Sequence, residues 1–265
     1  MKREKVKEDT KKDRKKNNKS LRNKILSIIE IVLLVVMIVS GIKIVSWTID
    51  NNKSKEVLKS VSNAVVIKDV PSELDKYVID FNELEKTNSD VVGWIKVNNT
   101  NVEYPVVKTT DNDYYLKHSF DKSDNSAGWV FADFRNKADG YDTNMIIYGH
   151  NRKDNSMFGS LTEVFKDEWI ENEENRKIVY ITKDVKVMYE IFSVYTIYDE
   201  NYYITTDFEN EDKFEEYINT VKSRSIYDLN VDVNVTDRLL TLSTCNITNH
   251  KTVIHAKKIE EKLQN

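Results

Sequence analysis

The chain predicts a mostly β domain, a barrel or sandwich with helices packed on its outside, preceded by one membrane-spanning helix. Two observations predict the domain: eight short runs rich in Val, Ile and Tyr recur after residue 90, and Asn/Asp/Lys-rich turns separate them. A third predicts the anchor: residues 25–47 are apolar, with charge only at Glu30 near one end and Lys43 near the other.

The anchor comes first in the chain. About 20 helical residues, rising ~1.5 Å each, cross a hydrocarbon core of ~30 Å, so residues 25–47 suffice. Residues 31–39 have no polar face, which argues against a buried globular helix. Residues 1–24 hold 12 Lys or Arg against 4 Asp or Glu, a net of +8; the whole chain is −4, so the remainder carries −12. A basic head before the span keeps the N-terminus cytoplasmic and puts the body on the outer face of the cell membrane. A cleaved signal peptide would have a shorter apolar region followed by a small-x-small site. Here the chain continues SGIKIVSW, which favours an uncleaved single-pass signal-anchor with Trp47 near the outer interface. The basic head, adjoining the span, is read as contacting anionic lipid and not nucleic acid.

Residues 48–90 alternate charged and apolar positions at helical spacing through Val57, Leu58, Val61, Val65 and Val66, predicting one or two linking helices. Residues 91–265 form the domain proper, long enough for one core and without an internal repeat. Its strand-like runs are 91–97, 102–107, 128–134, 144–150, 177–183, 185–198, 237–245 and 251–259, with Lys183 and Asp184 as a hairpin turn. Two amphipathic insertions interrupt them: Phe158, Leu161, Val164 and Phe165 on one stripe, and Phe214, Tyr217, Ile218 and Val221 on another.

The sequence has one cysteine, Cys245, so no internal disulfide can form although an outer compartment would permit one. Cys245 ends the run TLSTC where a polar loop begins, a position suited to a reactive thiol; a small buried core residue is the alternative. A nucleophilic thiol needs a partner that accepts its proton, usually histidine. Of the four histidines, His255 sits inside a strand pattern and reads as structural, His118 lies among aromatics, and His250 is close to Cys245 in sequence. His150 is the most suggestive, because it closes the apolar run 145–148, follows Gly149 and opens a polar loop. Acyl transfer also needs positive charge or N–H donors at the oxyanion, for which Arg135, Arg152, Arg224 and Arg238 are candidates. His and Cys are too few and scattered for a zinc site, no calcium ligand loop is evident, and no cofactor is expected.

TLSTC at one strand end, YGHN at another, VEYPVV near the start of the body and an N-terminal signal-anchor together resemble the sortases of Gram-positive bacteria. The likeness is strongest to class B, through GWVFADFRN, NMIIYGHNRKDNSMFGSL, YITTDFEN and DRLLTLSTC, and covers nearly all of residues 91–257. It implies a closed eight-stranded barrel and a membrane-anchored cysteine transpeptidase. Such an enzyme cuts a C-terminal sorting signal of a secreted protein and joins the new carboxyl end to an amine of the peptidoglycan precursor. By resemblance Cys245 attacks the signal carbonyl to give a thioacyl intermediate, and His150 acts as acid toward the leaving amine and base toward the incoming one. Asn112, Leu116, Tyr203, Ile204 and Ser243 match positions that line the signal groove.

The chain departs from the class B pattern twice. Lys251 stands where the family carries an arginine facing the thiol; it keeps the charge but loses the planar fork of donors. Arg238, an odd number of residues before Cys245 on the same strand, is ranked below it. Asn246 and Ile247 follow the cysteine where some members are acidic, and no acidic third member of a triad is evident there. Pilin polymerisation, a hydrolytic cysteine protease and a tethered binding module of low activity are the alternatives; retention of both Cys245 and His150 argues against the last.

Overall fold

The computed structural model describes residues 2–198, 200–245 and 250–264, with side chains from Arg22 onward except that of Cys245. The chain divides into two compact units, Met1–Asp50 and Asn51–Asn265. Helix α1 runs Lys2–Ser62. Within it, Arg22–Ser62 is long and apolar enough to cross a membrane, and the side chains of residues 22–49 are exposed.

In the second unit, the end of α1 buries Val57 and Val61. The helical spacing read through Val65 and Val66 stops at Ser62. Val65–Ile67 instead form strand β1, antiparallel to β2 (Tyr77–Ile79), because three consecutive β-branched residues favour extended backbone. Two short helices follow, α2 (Glu73–Lys76) before β2 and α3 (Phe81–Thr87) after it. The Asp80 side chain caps α3 by accepting from the Glu83 amide at 3.0 Å.

The barrel comprises β3 (Val91–Val97), β4 (Glu103–Val107), β5 (Phe131–Ala132), β6 (Asn144–His150), β7 (Lys177–Ile181), β8 (Val185–Tyr198), β9 (Leu239–Cys245) and β10 (His250–Leu263). Its order is β10-β8-β7-β3-β4-β5-β6-β9, closing β9 on β10. Seven strands lie within their predicted runs, β10 extends beyond its run of 251–259 at both ends, and the closed barrel implied by resemblance is present. Lys183 and Asp184 do lie in the β7–β8 turn, where the Thr182 amide donates to the Val185 carbonyl at 2.8 Å. The pairs are antiparallel except β4–β5 and β6–β9.

Both predicted amphipathic stripes are buried, in different helix types. Leu161, Val164 and the half-buried Phe165 belong to a 3-10 segment over Gly159–Phe165 that Phe158 precedes, followed by α4 (Asp167–Ile170). Phe214, Tyr217, Ile218 and Val221 lie along α5 (Glu211–Arg224), whose N-cap Asn210 accepts from the Lys213 amide at 2.9 Å.

Strand alternation divides the core. Met145 and Ile147 of β6, with Leu240 and Leu242 of β9, join the barrel interior. The other face of β9 carries Leu239, Thr241 and Ser243, and Leu239 joins a second apolar cluster with Tyr203 and the buried side of α5. The sequence LLTLST therefore alternates between two hydrophobic environments. His255 belongs to the second layer: it is fully buried, with Nε2 2.9 Å from Tyr195 Oη and Nδ1 2.9 Å from Thr241 Oγ1. Thr241 donates its one hydroxyl proton to Asn144 Oδ1 at 2.8 Å, so His255 Nδ1 carries a proton toward Thr241 and Nε2 accepts from Tyr195. Burial holds its pKa down at about 3, and the structural role read from sequence stands.

Candidate active site

The parallel β6–β9 pair matches Asn144 with Leu239 and continues residue by residue to His150 with Cys245. Parallel strands need a long crossover, here the whole segment 151–238, so the two residues distant in sequence share one strand end. The Cys245 side chain and residues 246–249, which include Asn246 and Ile247, lie outside the described residues.

His150 is half-buried, and its Nε2 lies 2.9 Å from the Leu116 carbonyl oxygen. A carbonyl only accepts, so Nε2 carries the proton and Nδ1 is left as the nitrogen that can exchange one. The Leu116 carbonyl thus orients the imidazole as a carboxylate would in a triad. That carbonyl is itself held by a built turn. Asp111 Oδ1 accepts from the amides of Asp113 and Tyr114, each at 2.8 Å, starting the 3-10 turn Tyr114–Leu116. Tyr115, 1% exposed, donates to Asp90 Oδ2 at 2.8 Å and accepts from Asn88 Nδ2 at 2.7 Å, pinning the turn to the barrel. Hydrogen bonds to the charged form hold the Asp111 carboxyl below its usual value.

Two glycines clear space at this end of β6, Gly128 for the imidazole and Gly149 for the Phe158 ring. Gly128 has φ +60°, and a Cβ there would lie 2.8 Å from His150 Cδ2. A Cβ on Gly149 would lie 2.7 Å from the ring of Phe158, which is fully buried.

The remaining predicted positions converge on the same end of the barrel. Tyr203 Oη lies 3.0 Å from Ser243 Oγ, and both residues are 1% exposed. Ser243 is the strand partner of Tyr148. Lys251 Nζ sits 5.9 Å from the centre of the Tyr203 ring. Asn112 and Ile204 are half-buried. Asn112 Nδ2 donates to Asp133 Oδ2 at 3.0 Å, and the Ile204 carbonyl accepts from Arg135 Nη2 at 2.8 Å.

Of the candidate arginines, Arg135 is engaged with the fully buried Asp133 carboxylate. Arg152 reaches Ser156 and Asn51, Arg224 pairs with Glu200, and Arg238 donates to the Tyr141 carbonyl. His118 is held by the Tyr114 carbonyl at 2.7 Å and Asp124 at 3.1 Å, while His250 is exposed against Tyr198. Sequence reasoning missed the Leu116 carbonyl as an orienting group and Asp133 as the hub of this end. Main-chain roles leave no trace in residue type, but the D-x-R spacing of Asp133 and Arg135 is a legible signal.

A model of the sortase domain matches residues 95–259. The chain belongs to the sortase family. It is 36% identical to sortase B of Listeria monocytogenes over 219 residues, covering 82% of this chain and 88% of that one. Sortase B of Staphylococcus aureus is 34% identical over 223 residues, 84% of this chain and 90% of that one. Among solved structures, sortase B from Bacillus anthracis superposes with a TM-score of 0.70 at 33% identity, covering 80% of this chain and 99% of that chain. A sortase B complexed with triglycine is similar at TM-score 0.64 and 36% identity, over 68% of this chain and 85% of that one. The chain is thus a cysteine transpeptidase of the sortase type, acting on cell-wall proteins, and its likeness runs to class B.

Proposed function

We propose that Cys245 is the nucleophile of this transpeptidase and His150 its acid–base partner. The carrying observation is the β6–β9 register, which makes them Cα partners on adjacent strands, where partners share a face of the sheet. Cys245 transfers its proton to His150 Nδ1 and attacks the signal carbonyl. The imidazolium, held through Nε2–H by the Leu116 carbonyl, returns that proton to the leaving amine. The same nitrogen then takes a proton from the incoming amine as it attacks the thioester, and the thiolate leaves.

Lys251 supplies positive charge to the oxyanion. This reading is supported by the β9–β10 pairing, which ends at Ser243 with Val253, two residues short of both Cys245 and Lys251, and by Lys251 Nζ lying 5.9 Å from the Tyr203 ring centre. Asn112, Leu116, Tyr203, Ile204 and Ser243 form the signal groove, supported by the contacts of Asn112 and Ile204 with the Asp133–Arg135 pair, of Tyr203 with Ser243, and of the Leu116 carbonyl with His150. The donor is a secreted protein with a C-terminal sorting signal. The acceptor is an amine of the peptidoglycan precursor, a reading supported by the triglycine complex of a similar sortase B. Residues 25–47 span the cell membrane with the basic head cytoplasmic and the barrel outside, supported by the apolar helix and the charge division.

The test uses full-length protein in detergent micelles, a panel of sorting-signal peptides and mass spectrometry. An acyl adduct on Cys245, its transfer to triglycine, and loss of both in Cys245→Ala are expected. Release of free acid with triglycine in excess would reassign the protein as a hydrolase.

A further inference from the structure

Asp133, fully buried at the end of β5, receives five hydrogen bonds. Its Oδ1 accepts from the Arg135 amide at 3.0 Å and Arg135 Nε at 2.8 Å. Its Oδ2 accepts from Arg135 Nη2 at 2.7 Å, Tyr148 Oη at 2.8 Å and Asn112 Nδ2 at 3.0 Å. A carboxylate has about four lone-pair positions, so this one is saturated and has no capacity left for substrate. Arg135 Nη2 reaches on to the Ile204 carbonyl at 2.8 Å. One ion pair therefore links the loop carrying Asn112, strand β6 through Tyr148, and the 3-10 turn Tyr202–Ile204.

The Asn112 amide is oriented without ambiguity. Its Oδ1 accepts from the Phe134 amide at 3.0 Å, and the acceptor-only carboxylate of Asp133 must meet the NH2 group. Flipping Asn112 would set oxygen against carboxylate and NH2 against N–H. The amide thus keeps one N–H to offer, beside a second lone pair on Oδ1.

We propose that the Asp133–Arg135 pair is the positioning element of the signal groove: it holds the Asn112 and Ile204 walls together and makes Asn112 a hydrogen-bond donor to an amide oxygen of the sorting signal. This rests on the groove reading of Asn112 and Ile204. The pair does not touch the reacting atoms, so its effect is on binding of the signal peptide. Arg135 is 39% exposed at its side chain, so its fork, not its burial, is what a substitution removes.

The experiment is a double-mutant cycle of Arg135→Lys and Asn112→Ala in the full-length protein, with the peptide found to acylate Cys245. Lysine keeps the charge and cannot span Asp133 and Ile204 in the same geometry. Each variant should raise KM for the peptide by about 10-fold with kcat changed far less, since displacement of a positioning group is felt in the bound geometry. KM for triglycine and the rate of Cys245 alkylation by iodoacetamide should stay at wild-type values. The double variant should fall well short of the product of the single effects, because Arg135 acts partly through Asn112. Should Arg135→Lys lose its fold, Tyr148→Phe replaces it in the cycle with the same expectation. Unchanged KM in a folded variant, strictly multiplicative effects, or a fall in kcat alone would overturn the positioning role. No Cys245 adduct in wild type would overturn the groove reading beneath it, a result distinguishable from the others before any variant is made.

Discussion

His150 donates its Nε2 proton to the carbonyl oxygen of Leu116 across 2.9 Å. A main-chain carbonyl stands where many acyl-transfer sites use a carboxylate. It orients the ring by the direction of one hydrogen bond, so orientation of His150 depends on the shape of the turn that carries Leu116.

The space around His150 is the first test. Gly128 sits at φ +60°, and a Cβ there meets the imidazole at 2.8 Å. Gly128→Ala should lose more than the about 1–2 kcal/mol of the left-handed backbone, because its Cβ would also lie 2.5 Å from the Tyr115 carbonyl oxygen, and kcat/KM should fall on the order of 10-fold or more as the ring and the turn beside it are displaced. Thermal unfolding alongside peptide kinetics separates the two; a stable variant with wild-type kcat/KM would show that the ring tolerates the shift.

Lys251 makes a second test. If it stabilises the oxyanion, Lys251→Met should lower kcat by roughly 100-fold, while Lys251→Arg should keep or raise it, since the fork supplies more donors. Single-turnover acylation of Cys245 measures this directly, and equal rates in wild type and Lys251→Met would remove Lys251 from the chemistry.

His255 predicts the acid limit of stability. Its folded pKa of about 3 lies below the ordinary 6.5, so below pH 6.5 the unfolded chain binds a proton that the native state refuses. That contribution is complete above pH 6.5 and is lost as pH falls toward 3, at up to about 1.4 kcal/mol per pH unit. Asp133, which burial pushes up but Arg135 and its other hydrogen bonds together hold below 3.8, adds its own loss only at lower pH. Denaturant titrations from pH 7 to about 4 should show this slope, and His255→Gln should flatten it. An equal slope in the variant would place the proton uptake elsewhere.

Lys186 ties the segment before the barrel to β8. Its Nζ donates to the carbonyls of Leu74 at 3.0 Å and Tyr77 at 2.7 Å, and burial lowers its pKa. Lys186→Met strands two buried acceptors at a cost of about 1–3 kcal/mol. Limited proteolysis should then cut first within residues 65–80, and an unchanged cleavage pattern would show the tie to be dispensable.

Short runs rich in Val, Ile and Tyr between Asn/Asp/Lys-rich turns sufficed to locate all eight barrel strands, because β-branched and aromatic residues favour the pleated, buried surface of a sheet. That signal failed for Val65 and Val66, where helical spacing competed with β-branched character and pairing with β2 decided the outcome. The run 128–134 predicted a longer strand than Phe131–Ala132, since every residue from 128 to 133 is buried and burial on all sides carries no periodicity.

By itself, the sequence determined the basic head, the apolar helix, the strand runs and the residue types capable of thiol chemistry, all properties of local composition and spacing. Only the tertiary structure decided that β6 and β9 pair in parallel, so that His150 and Cys245 end side by side, and that Leu116 and Asp133 serve the site through a carbonyl and a buried carboxylate. Strand pairing is settled by barrel closure, and the partners of a carbonyl or a buried carboxylate by what the closed barrel brings within about 3 Å, neither of which is encoded in neighbouring residues.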